Sequence, residues 1–161
     1  MKTLLPYSVF FLLITSCAVK RADVDFIEFN HKNYTVIKDD RINIKLIPTT
    51  AAREKNVSVR IVYKSEQLDR IRITAAEYNA IKAHIHRIKQ EDLEMPRIVN
   101  KGEPNEFVMG IPDGGSNSIS ISENNTIRKF ATSGFIKQYH LTFYDAVEKI
   151  FSTVGIELED L

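Results

Sequence analysis

Histidines, serines, paired carboxylates and one thiol are the residues of this chain that could do chemistry. His84 and His86 stand in "AHIHR" and raise the question of a metal. The pattern around them is helical, and on a helix residues two apart point about 200° away from each other, so the pair cannot grip one ion. They read as surface histidines, with His84 flanking an apolar stripe, and no metal site is expected. The string "PDGGSNSISIS", residues 112–122, is the most distinctive in the chain. Asp113 with the Gly114 and Gly115 amides could cradle a ligand, and Ser116, Ser118, Ser120 and Ser122 would form a hydroxyl row on one strand face. The string lacks the helix that follows a phosphate loop and is not the G-x-S-x-G elbow of serine hydrolases. Its plainer reading is a glycine turn into a strand with a solvated serine face and buried Ile119 and Ile121. The carboxylate pairs Asp39–Asp40 and Glu91–Asp92 lie in charged loops and read as solvated. No serine stands in an activating context, so the sequence predicts no catalytic residues and no cofactor.

The single thiol, Cys17, closes an apolar run. Lys2, the apolar stretch Leu4–Ile14 and the small pair Thr15–Ser16 are the three parts of a secretory signal peptide. The run falls short of the roughly 20 residues that a membrane-spanning helix takes. "ITSC", Ile14–Cys17, resembles the lipobox of bacterial lipoprotein precursors: an aliphatic residue, two small ones and a cysteine. The resemblance implies cleavage before Cys17, a diacylglyceryl thioether on its sulfur and acylation of its new amino group. It also implies that the thiol is unavailable for catalysis or for a disulfide. Two or three acyl chains would hold the chain on a membrane far more firmly than one, since each buried methylene contributes about 0.8 kcal/mol. Ala18 stands where that family often carries an aspartate for inner-membrane retention. The resemblance therefore points to the outer membrane, facing the periplasm.

Removing residues 1–16 takes away Lys2 and no acid, so one of the 22 basic residues is lost and the 21 acidic ones are balanced. Electrostatics give such a chain no general attraction to nucleic acid. Residues 17–23 read as a lipidated tether, and residues 24–161 as a single domain with enough chain for one core.

Strand patterns occur at 24–29, 34–37, 42–47, 57–64 and 70–73, the clearest being "VSVRIVYK", where Val57, Val59, Ile61 and Tyr63 alternate with polar residues. "TAAEYNAIKAHIHRIKQ" predicts a helix with a Thr74–Glu77 capping box and a stripe of Tyr78, Ile81, Ile85 and Ile88. Residues 91–105 read as a long loop. Further strands follow at 106–111, 116–122 and 126–131, the last two joined through Asn124 and Asn125, which tolerate a tight hairpin turn. "LTFYDAVEKIFSTVG" predicts a second helix, with Thr142 and Asp145 at capping spacing, a core face of Phe143, Val147, Ile150, Phe151 and Val154, and Gly155 past its end. The expected class is α+β, a mostly antiparallel sheet with two helices packed on one face.

Long loops in small domains are often binding elements. Met95, Ile98 and Val99 would give this one apolar contact area, against the alternative that they fold back onto the sheet edge. Taken whole, the chain resembles the small envelope lipoproteins of Gram-negative bacteria whose activity is unknown. No activity carries over from that resemblance; with no catalytic constellation in the residues, the expectation is a non-catalytic module that binds an envelope protein, including the inhibitor or immunity type. The alternative is a small-molecule or glycan binder that uses Asp113, Ser118 and Ser120.

Overall fold

The computed structural model describes residues 24–33, 41–68, 70–95, 98–108, 115–134 and 136–157. The leader, Cys17, the tether, the strand expected at 34–37 and Asp113 lie outside the described residues.

The first three strands, β1 (Phe26–Lys32), β2 (Ile42–Pro48) and β3 (Val57–Tyr63), pair as an antiparallel meander. Each alternates buried with less buried residues, as a strand with one covered face must. The outer edge of β3 is shared by β4 (Glu66–Gln67) and β5 (Ile71–Ile73). Helix α1 spans Ala75–Ile85. After a 3-10 turn at Gln90–Leu93, β6 (Ile98–Val99) and β7 (Phe107–Val108) form a two-stranded ribbon of their own. The chain then returns to the main sheet: β8 (Ser116–Glu123) pairs with β1, and β9 (Thr126–Ser133) closes the edge. Asn124 and Asn125 both take the positive φ that the tight turn between β8 and β9 requires. Helix α2, Leu141–Val154, completes the described fold. The seven-stranded antiparallel sheet with two helices is the α+β class expected.

One core joins the sheet to both helices. Ile27 and Phe29 of β1, Ile44 and Leu46 of β2, Val57 and Val59 of β3, and Ile119 and Ile121 of β8 are buried with Ile81 and Ile85 of α1 and Phe143, Val147, Ile150 and Phe151 of α2. The rings of Phe29 and Phe151 meet edge to face, with centroids 5.3 Å apart.

The capping box of α1 is present: Glu77 N–H donates to Thr74 Oγ1 and Thr74 N–H to Glu77 Oε2, at 3.1 and 2.7 Å. This bonding by Thr74 holds the Glu77 carboxyl below the usual carboxylate range. Helix α1 is shorter than its pattern suggests. Arg87 and Ile88 donate to His84 and Ile85 three residues back, which tightens the last turn, so Ile88 packs half-buried from beyond the helix end.

Two further expectations are corrected. The Thr142–Asp145 cap does not form; the N-cap of α2 is His140, and its side chain makes no capping bond. The expected loop at 91–105 holds the end of the 3-10 turn and all of β6, because Leu93 packs against the core and Ile98–Val99 pair with β7. At its far end α2 stops as expected, at Gly155 with φ +73°. Among the described residues no helix is long and apolar enough to cross a membrane.

Candidate functional site

Both helices cover one face of the sheet and leave the other open. Register places Lys129, Ser120, Glu28, Lys45 and Arg60 in one row across five strands of the open face. The next row holds Ala131, Ser118, Asn30, Asn43 and Val62. Lys32 lies beside Ser116 and Arg72 beside Ser58, on the same face. Among the described residues the strands thus present the bases Lys32, Lys45, Arg60, Arg72 and Lys129 on this face against the one carboxylate of Glu28. A chain with a formal net charge of +1 concentrates positive charge here.

Glu28 is already engaged. Asn43 Nδ2 donates to its Oε1 at 2.9 Å, and Lys45 Nζ lies 3.6 Å from its Oε2 and 4.3 Å from the centre of the Phe26 ring. Asn43 Nδ2 also donates to Asn30 Oδ1 at 2.6 Å. That bond fixes the Asn30 amide with its NH2 available as a donor.

The serine row is brought onto this face, but not as a uniformly solvated strip. Ser116, Ser118 and Ser120 are half-buried, whereas Ser122, beside Phe26 and Ile127 in register, is buried. Ser118 and Ser120 therefore share a face with Lys129, Asn30 and Asn43, partners that the sequence reading did not name. Their signal was the alternation Glu28, Asn30, Lys32 in β1, which has meaning only once β1 is known to lie beside β8.

A second feature is the ribbon. Ile98 pairs with Val108 and Val99 with Phe107. Ile98, Phe107 and Val108 are exposed by 39, 49 and 78%. Met95 and Val99 are half-buried. Sequence reasoning reached Ile98 and Val99 and missed Phe107 and Val108, which read there as an ordinary strand.

The histidines take structural positions. Arg128 donates to His86 Nδ1 at 2.6 Å, and since a guanidinium can only donate, the ring proton sits on Nε2, 3.2 Å from Glu123 Oε2. Lys82 reaches Glu123 at 2.6 Å. The Lys82 ammonium, with Arg128 beside it, holds the Glu123 carboxyl below the usual carboxylate range against the opposing effect of burial. This cluster clamps the turn between β8 and β9 to α1. His84 is half-buried and takes no part in it. Among the described residues no three His, Cys, Asp or Glu side chains come together as a metal site.

Asp92, His140 and Thr142 form a constellation that spacing could not show. His140 is fully buried, and its Nδ1–H donates to the Asp92 carbonyl at 2.8 Å. The Asp92 carboxylate accepts from the Thr142 backbone N–H at 3.1 Å and from the Thr142 hydroxyl. A nucleophile and its base need the ring nitrogen on the hydroxyl. Here the hydroxyl goes to Asp92, and the other ring nitrogen of His140 is sealed in the interior without a partner among the described residues. The arrangement caps a helix.

At one end of the sheet His31 Nδ1–H donates to Asn117 Oδ1 at 2.8 Å, Asn117 Nδ2 to the Gly134 carbonyl at 3.0 Å, and Thr132 Oγ1 to the same carbonyl at 2.8 Å. Buried Asn117 and Thr132 thereby satisfy their polar groups.

Comparison with protein-family models, with curated proteins and with solved structures returns no match to this chain.

Proposed function

We propose that this chain is an envelope lipoprotein, held in the outer membrane and facing the periplasm through lipid on Cys17. Its domain binds another envelope protein without catalysing a reaction, as an inhibitor or immunity protein does. The observation that carries the binding reading is the ribbon. It forms a sheet separate from the main one and exposes Ile98 and Val108, paired on one face, and Phe107, paired with Val99 on the other. Exposed apolar side chains on both faces of a short ribbon offer a partner contact area, and large apolar anchors supply most of the affinity in protein interfaces. Each strand of a two-stranded ribbon also keeps one unpaired backbone edge, which a partner strand can extend.

The test is quantitative capture from the native membrane fraction with the wild-type chain and a Phe107→Ser, Val108→Ser variant. A partner retained by the wild type and depleted at least tenfold by the variant, with an unchanged circular-dichroism spectrum and melting curve, supports the reading. Equal recovery by both chains refutes the ribbon as the binding element.

A further inference from the structure

A hollow of about 430 Å³ opens on the uncovered sheet face, at the end where β1 leads out of the sheet and β2 enters it. Its shape follows from side-chain length. Short residues make the floor, with Ser116 and Ser118 from β8 beside Asn30 from β1 and Asn43 from β2, and Ala131 opposite Ser118 leaves the neighbouring position low. Long side chains make the walls, with Lys32 on β1 and Lys129 on β9. No carboxylate of the described residues lines it. The nearest on the sheet, Glu28, is turned to Asn43 and Lys45.

The groups facing this space are mostly donors. They include the ammonium groups of Lys32 and Lys129, the Arg41 guanidinium, which also donates to Ser65 Oγ at 3.1 Å, the hydroxyls of Ser116 and Ser118, and the NH2 of Asn30, whose oxygen is occupied by Asn43. Neither Lys32 nor Lys129 has an ion-pair partner among the described residues. Hydroxyls and an amide on a shallow floor suit a sugar ring, and paired ammonium groups suit anionic substituents.

The register also sets a length. Lys32 lies beside Ser116 and Lys129 beside Ser120, on strands separated by β8. Two strand spacings of about 4.8 Å and a four-residue offset of about 3.3 Å per residue put their Cα atoms roughly 16 Å apart. Side chains on a strand stand roughly perpendicular to the sheet, and ammonium groups held that way are matched by a two-ring ligand charged at both ends better than by one small anion.

We propose that this hollow binds a saccharide of disaccharide size bearing an anionic group at each end, with phosphate the best fit because each phosphate offers three acceptor oxygens and up to two charges. Such a ligand could be free or be the headgroup of a lipid. The site is independent of the ribbon, so the two assignments stand or fall separately.

The probe is a 1,4′-bisphosphorylated glucosamine disaccharide, titrated into the full chain in neutral detergent and followed by amide shifts and calorimetry. The unphosphorylated disaccharide is the control, and a second arm displays the same bisphosphorylated headgroup on neutral lipid vesicles. Saturable binding that moves the Ser116 and Ser118 amides supports the proposal if it is at least tenfold weaker for the neutral sugar and for Lys32→Ala with Lys129→Ala. It should also weaken as salt is raised. Binding of the soluble sugar identifies a free saccharide as sufficient. Binding only to the vesicles, lost in the same double variant, identifies the lipid headgroup. Both lysines are exposed on the surface, so the double variant should keep its melting curve. Equal affinity for the neutral sugar, unchanged affinity in the double variant, or no saturable binding in either arm overturns the proposal.

Discussion

Asp92 caps α2 through Thr142, fifty residues further along the chain. The first backbone N–H groups of α2 need acceptors, and the His140 side chain at the N-cap makes no capping bond, its ring being turned to the Asp92 carbonyl. The Asp92 carboxylate takes up the Thr142 N–H and hydroxyl instead, and its charge sits favourably at a helix N-terminus. Asp92→Ala should therefore destabilise the domain by about 0.5 to 2 kcal/mol, the usual range for a lost N-cap, as read from denaturant midpoints. Asp145→Ala, at the position that spacing nominated for the cap, should cost less than about 0.5 kcal/mol. Equal losses in the two variants would refute the long-range cap. At Tyr78 the opposite situation holds: its hydroxyl is buried without a partner among the described residues, and burial pushes its ionisation well above the usual tyrosine range.

At the scale of elements, the approach of β8 to the end of β1 depends on Gly115. Its φ is +33°, and a Cβ there would lie 2.8 Å from the Lys32 carbonyl oxygen and 3.2 Å from the His31 ring. Gly115→Ala should cost about 1 to 3 kcal/mol through backbone strain, with the clash added. The matched control is Gly102→Ala, where φ is +85° but nothing stands within 4 Å, so strain acts without the clash and the loss should be smaller. Because Lys32 and Ser116 are register partners, the Gly115 variant should also disturb the amide signals of the hollow's floor. If the two alanine variants melt alike, close approach at Gly115 is not a constraint.

At the scale of the molecule, the layers divide the labour. The helices bury one sheet face and supply stability, the open face carries an excess of bases, and the ribbon exposes Ile98, Phe107 and Val108. A lipid on Cys17 would add an anchor ahead of β1. Intact mass of the protein from its native membrane fraction should show a chain beginning at Cys17 with added acyl mass, and Cys17→Ser should release the protein from the membrane. An unprocessed, unmodified mass would remove the anchor and the compartment with it.

Much of the local structure could be read from the residues themselves. The Thr74–Glu77 box, the Asn124–Asn125 turn, the Gly155 stop and the alternation in β3 and β8 depend on neighbours within a few positions, and all are present. So was the α+β class, because periodicity shows which face of each element must be covered. Tertiary structure decided what lies beside what. The Asp92 cap, the burial of Ser122, the pairing of Ile98–Val99 with Phe107–Val108 and the meeting of Lys32, Ser118 and Lys129 on one surface all join residues far apart in the chain. Periodicity assigns a residue to a face, but strand order sets its neighbours, and strand order is fixed only when the core closes.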